Sequence, residues 1–445
     1  MKKLLLLLLF ITCASANAQF WTEKATTFAT ASRGVSGISI VDANNVWVKA
    51  YDGTLTGTTP DPTKQYARSS DGGNTWVSGT MGLGTGSGGL GISSITAVSG
   101  TTAWVSAFPA SSGLGGIWKT TTSGTTWTKQ ATALFNDTVN SFANFVYFFD
   151  ANNGIAQGDP VGGYFEIYTT VDGGTNWTRV PTGNIPAPSA GGEFGYSNNY
   201  DVFGDTIWFG TSSGRIFKSI NKGLNWTVAA APATVTDFGS ATAGGSYTFS
   251  NATKGLLLNS SGVLYTTNDG GVTWTNQSFS GPIFVGDIEY VPGTTRVIST
   301  RAAATAGSSY SLDDGLTWTQ ADTGVQHLET KFLDLNTGFS GGFTTSATVG
   351  GIYKYTGTAL NTDSFVSSKF TTYPNPVRDV ISISNSENII FTEVAITDLN
   401  GRTVKNIKVN DLSEVQINVS DLNSGVYFMN ITSDSGKAVK KFIKN

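Results

Sequence analysis

Charge, cysteine, histidine and long apolar runs are all scarce in this chain, and each shortage closes off a class of protein. Charged residues make up 13% of the 445 positions, about half of the ~25% usual in soluble domains. The formal net charge of -4 provides no basic field, so neither nucleic acid nor an anionic membrane surface is an expected partner. The one cysteine, Cys13, has no second cysteine to pair with; stability must come from packing and from closure of sheet edges. The one histidine, His327, cannot build a typical zinc cluster without cysteines beside it. No Asp-x-Asp-x-Asp-Gly loop offers a calcium site either, so no metal and no cofactor is expected. The apolar run Leu4–Ile11 is too short to span a bilayer, and no other stretch approaches the roughly 20 apolar residues that crossing requires. That short run follows Lys2 and Lys3 and precedes Ala16-Asn17-Ala18. Its order is that of a secretory signal peptide over residues 1–18, cleaved before Gln19.

What the chain has instead is glycine, threonine, serine and asparagine, arranged in a repeat. The octapeptide TVDGGTNW at Thr170–Trp177 recurs as SSDGGNTW, TTTSGTTW, SINKGLNW, TNDGGVTW and SLDDGLTW, ending at Trp76, Trp127, Trp226, Trp274 and Trp318. The tryptophans are about 51, 50, 49, 48 and 44 residues apart, a period expected of propellers. Between them lie short alternating runs rich in Val and Thr with Gly/Asn/Asp turns, and no amphipathic helical pattern. Beyond Trp318, Phe332–Leu335, Gly338–Gly342 and Gly351–Tyr355 supply three strands but no fourth. The mature N-terminus, Phe20–Ala25, mirrors Thr126–Ala131 and provides it. Seven blades of about 48 residues need roughly 340, which matches residues 19–358. The expected fold is all-β, a seven-bladed propeller closed by both termini so that no sheet edge is left free.

The octapeptide has a mechanism. Its Asp accepts backbone N–H bonds across a hairpin turn, Gly permits positive φ, and Trp buries a large ring between blades. Thr122 and Asn221 stand where Asp71, Asp172, Asp269 and Asp313 occur elsewhere, and both can still accept the turn hydrogen bond. These residues, with Trp76, Trp127, Trp177, Trp226, Trp274 and Trp318, are therefore read as structural. The repeat resembles the Asp-box of sialidase-like (BNR) propellers.

Residues 359–369 read as a polar linker. A different module follows over 370–445: Tyr373-Pro374-Asn375-Pro376, then Asp398–Arg402 with Gly401 and Arg402, then Leu422–Tyr427 with Gly425 and Tyr427, and the late Lys440 and Lys441. Several motifs in this order resemble the C-terminal sorting domain of the type IX secretion system of Bacteroidetes. The resemblance implies a small Ig-like sandwich, recognition by the secretion machinery, and delivery through the periplasm to the cell surface or the medium.

Chemistry is harder to place. The Arg-Ile-Pro signature that sialidases carry is absent, and arginines ahead of the sorting module are limited to Arg33, Arg68, Arg179, Arg215, Arg296 and Arg301. Xyloglucan-cleaving propellers pair two rings around their substrate, and this chain has one. The run Phe149-Asp150, Gly158-Asp159-Pro160, Gly163–Phe165, Gly192-Glu193 and Arg215–Ser219 is similar to propellers resembling the photosystem-assembly stability factor. Fold likeness does not carry function, and no dinucleotide loop, redox cysteine or haem motif is present. By topology Asp159, Glu193 and Arg215 share one sector of the face opposite the octapeptide turns. They are the ligand-binding candidates, with salt-bridged loop support as the competing reading; no catalytic residue is assigned. His327, between blades six and seven, is expected to be an exposed loop residue. The glycine- and threonine-rich loops 52–64 and 79–91 are candidate recognition loops. The favoured reading is a non-catalytic module binding an extracellular glycan or protein, and the alternative is a glycoside hydrolase using Asp159 and Glu193.

Overall fold

The computed structural model describes residues 20–55, 60–357, 370–385, 389–398, 402–412, 414–433 and 436–445. The signal segment, the whole linker and Gly401 lie outside these. The chain divides into two compact units, Met1–Leu360 and Asn361–Asn445, and no α-helix occurs among the described residues.

The first unit is a ring of seven four-stranded antiparallel blades. The innermost strands are Arg33–Ile40, Leu90–Ala97, Ala143–Phe148, Gly195–Phe203, Gly245–Phe249, Asp287–Tyr290 and Thr330–Phe332, in blades 1 to 7. Each contacts the next, and the seventh contacts the first. Blade 7 is completed from the other end of the chain: Trp21–Ala25 pairs with Val349–Tyr355 in the register Trp21↔Tyr355 to Ala25↔Gly351. The innermost strands of blades 2 to 6 pair on one side only, so their short edges are sheltered within the ring, while blades 7 and 1 are joined by the Gly34↔Phe343 pairing.

The repeated turn is built as its sequence implies. In blade 3, Thr170 Oγ1 donates to Asp172 Oδ1 at 2.9 Å, Gly174 N donates to Thr170 Oγ1 at 3.0 Å, and Asn176 N donates to Asp172 Oδ1 at 2.9 Å. Gly173 and Gly174 sit at φ 67° and 86°, where a side chain would be strained. The copies lacking Asp keep the long bond: Thr126 N to Thr122 Oγ1 and Asn225 N to Asn221 Oδ1, both 2.9 Å. Trp76, Trp127, Trp226 and Trp318 donate Nε1 to a turn carbonyl at 2.8–3.2 Å; Trp177 and Trp274 make no such bond. The rings reach into neighbouring blades. Trp76 meets Phe339 of blade 7 edge-on at 6.0 Å, and Trp127 meets Tyr66 of blade 1 at 6.0 Å.

The second unit pairs two sheets around one core. Phe370–Tyr373, Val380–Asn385 and Glu414–Asn418 form one; Phe391–Thr397, Thr403–Leu412, Gly425–Ser433 and Gly436–Lys444 form the other. Ile381, Ile383 and Ile417 of the first pack with Val394, Ile396, Met429, Ile431 and Phe442 of the second. The motif residues are joints of this sandwich. Asn375 Oδ1 accepts from Ile443 N at 2.9 Å and its Nδ2 donates to Lys441 O at 3.2 Å, tying the Tyr373–Pro376 segment to the last strand. Tyr373 bonds Glu414 at 3.0 Å, Arg402 pairs with Asp398 at 2.7 Å, and Tyr427 OH donates to Asn423 O at 2.9 Å.

Candidate functional site

The first strands of blades 1 to 4 share an irregularity at the same level. Their registers slip between Val35 and Gly37, Ile92 and Ser94, Ala143 and Phe145, and Gly195 and Tyr200. A bulge inserts an extra residue and re-aims side chains. Here the extra residues are Ser36, Ser93, Asn144 and the longer segment Tyr196–Asn199, of which Ser93 and Asn144 stay buried. In blade 4 the extra residues reach right across the ring. Asn198, at φ 57°, donates Nδ2 to Glu329 Oε2 of blade 7 at 2.8 Å. Asn199 accepts from Tyr247 OH at 2.9 Å and from Gly210 N at 3.1 Å.

Around this segment opens a cavity of about 700 Å³, lined from blade 1 (Ser36, Lys49, Tyr51), blade 4 (Tyr196 to Tyr200), and blades 5 to 7 (Tyr247, Asp287, Glu329) among others. Strand direction puts it on the face opposite the octapeptide turns. Its size and its mix of aromatic rings with a few convergent polar groups are those of a small-ligand site.

Charged groups gather beside and beneath it. Lys331 pairs with Glu289 at 2.8 Å and lies near Asp201, Asp287 and Glu329. Burial raises the carboxyl pKa of all four acids. Burial works against the Lys331 ammonium too, but the surrounding carboxylates outweigh it and hold the lysine protonated. The acids also stitch the ring: Asp201 accepts from Phe249 N of blade 5 at 2.6 Å. Asp287 accepts from Ser246 Oγ of blade 5 at 2.9 Å and from Thr330 N of blade 7 at 2.8 Å.

Of the three sequence-predicted residues, the structure joins Glu193 to Arg215, and Asp159 bonds the backbone two residues along from Glu193, at Gly195. Glu193 is 3% exposed and fully engaged. It accepts from Arg215 Nε at 3.0 Å and from Arg215 Nη2, from Thr211 Oγ1 at 2.5 Å, and from Ser189 N at 2.7 Å. Burial pushes its carboxyl pKa up, but Arg215 and the other donors prevail and keep it below the usual value. Arg215 also donates to Ala187 O at 2.9 Å. Asp159 Oδ1 takes Asn144 Nδ2 at 2.7 Å and Gly195 N at 3.0 Å; burial raises its pKa to about 6. None of the three lines the cavity.

His327 corrects an expectation. It is 1% exposed, because it packs between Trp21 and Tyr353 with ring centroids at 5.4 and 4.8 Å. Its Nε2 meets Asp322 Oδ2 at 3.0 Å and its Nδ1 meets Ser340 Oγ at 3.1 Å. A Ser–His–Asp set has the composition of an acyl-transfer triad. Ser340, however, is 0% exposed and does not line the cavity, so no substrate carbonyl can reach it. The set serves as a strut. Of the loops singled out, residues 56–59 lie outside the described residues. Lys64 Nζ ties the remainder of that loop to Leu90 O at 2.7 Å.

The molecule is thus an all-β propeller followed by a sandwich, and comparison with known proteins agrees. Residues 371–445 match the secretion system C-terminal sorting domain, which marks the chain for type IX export to the cell surface or beyond. No curated protein matches the chain. Among solved structures, one described as YCF48 bound to D1 peptide has a TM-score of 0.53 at 16% identity, covering 76% of this chain and 97% of that one. YCF48 from Cyanidioschyzon merolae gives 0.49 at 18%, covering 75% and 98%. A GH74 xyloglucanase from Xanthomonas campestris gives 0.29 at 13%, covering 89% and 65%. At these identities the likeness to the first is one of fold. No helix among the described residues is long and apolar enough to cross a membrane.

Proposed function

We propose that this exported propeller is a non-catalytic binding module, that its repeated turns are Asp-boxes of the sialidase-like kind, and that its ligand enters the cavity at the channel mouth. The observation that carries this is the cavity itself, about 700 Å³ and lined by Tyr51, Tyr196, Tyr200 and Tyr247 with serines and asparagines between them. Rings and short polar side chains on bulged strands suit recognition of an extracellular glycan or a protein segment. A structure of similar fold is described with a peptide bound, which favours keeping protein partners in the screen. The Asp159, Glu193 and Arg215 sector is read as support for the loop between blades 3 and 4. The glycoside hydrolase reading draws on one observation, the raised pKa of Asp159, since a general acid needs such a shift.

The test is a glycan array and a cell-surface pull-down with the purified protein, with mass spectrometry of whatever is recovered. Intact bound glycan or a captured protein supports the module. Shortened glycans would replace it with the hydrolase, and retention of neither would overturn both.

A further inference from the structure

Among the described residues, Lys49 is the one ammonium at the cavity with no carboxylate bonded to it: Lys331 pairs with Glu289, whereas Lys49 meets only a serine hydroxyl. Lys49 belongs to the second strand of blade 1, Val46–Asp52, and a side chain there normally stops behind the innermost strand. Two local features let it through. It stands opposite Gly37, where a Cβ would come within 2.7 Å of Lys49 Cγ and about 3.0 Å of Cε, so the lysine stem occupies the place of the missing side chain. The bulge at Ser36 then opens the innermost strand beside it. The result is a lysine 6% exposed that lines the cavity and whose ammonium donates to Ser36 Oγ at 2.9 Å.

An ammonium has three donors, and among the described residues Lys49 makes no other hydrogen bond and no ion pair. Glu329 and Asp61 are the charges that favour its protonated form, against the burial that lowers its pKa. Neither closes on it. Glu329 is held by Asn198 Nδ2 and by Ile38 N at 3.4 Å. Asp61 accepts from Asp52 N at 2.9 Å and Thr63 N at 2.8 Å. The other acid of the cavity wall, Asp287, is satisfied by Ser246 and Thr330, and Lys331 by Glu289. A buried cation with free donors is costly unless something completes its shell, and here the cavity is the open side.

Resting on the channel-mouth reading above, we infer that Lys49 is the anchor of the ligand and that the ligand presents a carboxylate to it. Arrival of a carboxylate converts an under-served buried ammonium into a charge-assisted pair. The neighbouring acids, with their donors already in place, line the wall without competing for the lysine. A carboxylate can come from a uronic acid sugar or from the terminus of a chain, and the two make different demands on the tyrosines around it.

Calorimetric titration of the full protein with two matched pairs tests this: glucuronate against glucose, and N-acetylglycine against N-acetylglycinamide. At least one acid should bind about tenfold or more tightly than its neutral partner. The pair that responds identifies the source. Lys49→Met, which keeps the stem and removes the charge, should abolish that preference while its thermal midpoint stays at or above that of the parent. Because that variant removes the lysine altogether, the parent protein labelled with 13C at lysine Cε gives a second readout: the acid should move the Lys49 resonance. Equal binding of acid and neutral probes, undiminished binding by Lys49→Met, or an unmoved Lys49 resonance would each overturn the inference. If neither acid binds but a glycan or protein from the screen does, the carboxylate inference fails while the binding module stands. If nothing binds in either experiment, the module fails with it.

Discussion

Asp159→Asn separates a structural carboxyl from a catalytic one. Both donors to Asp159, Asn144 Nδ2 and Gly195 N, converge on Oδ1, so an asparagine can keep both bonds through its own oxygen while removing the charge. Burial raises the Asp159 pKa from 3.8 to about 6. For a carboxyl whose folded pKa is raised, the stabilisation exists below the unfolded pKa, where the group is protonated in both states. It is lost as pH rises through the folded value. Across pH 4 to 6 the parent should therefore lose about 3 kcal/mol through this residue, and the asparagine variant should not. The assay is guanidinium chloride unfolding of parent and variant at pH 4 and pH 7.5, comparing the difference between them at each pH. The variant should gain relative to the parent on going to pH 7.5, by as much as about 3 kcal/mol. A difference that does not change with pH, or a variant weaker at pH 7.5, would refute the account. If the protein cleaves a glycan and this variant stops it while remaining folded, the hydrolase reading takes over.

Other expectations follow from the same contacts. Lys331→Met leaves Glu289, Asp201, Asp287 and Glu329 without their cation and should cost about 3–5 kcal/mol, seen as a lowered unfolding midpoint; an unchanged midpoint would contradict the ring-stitching role. Trp226→Phe forfeits the 2.8 Å bond to Gly223 O and should cost about 1 kcal/mol, whereas Trp226→Ala should cost about 3–5 kcal/mol. Equal losses would mean that the indole's packing matters little. Asp71 and Asp269, held near pKa 2 chiefly by turn hydrogen bonds from Thr75 and Thr273, contribute stability above about pH 4 that disappears as pH falls through 2. Alanine at either position should flatten the acid limb of the stability profile. Truncation after Ser368 removes the sorting sandwich and should leave the protein in the periplasm, as fractionation and immunoblotting would show; normal surface delivery would refute the sorting role.

The sequence by itself determined the ring and the tail. Every octapeptide turn is closed by atoms no more than four residues apart, as from Thr170 to Gly174 and from Asp172 to Asn176, so its chemistry is written in contiguous letters. Repetition then counts the blades, and the unmatched strand at Phe20–Ala25 locates the closure. The sorting motifs are likewise short and ordered. The cavity was not legible because its parts are brought together by ring closure alone. Asn198 finds Glu329 from 131 positions away, and only the blade 4 bulge brings it there. Lys49 reaches the cavity because Gly37 lies opposite in the register and Ser36 is bulged out, relations that no spacing along the chain announces. His327 reads as a loop residue in sequence, yet Trp21 from the far end of the chain covers it. Local hydrogen-bond patterns can be read from neighbours in sequence; the convergence of seven strands on one axis exists only once the ring is shut.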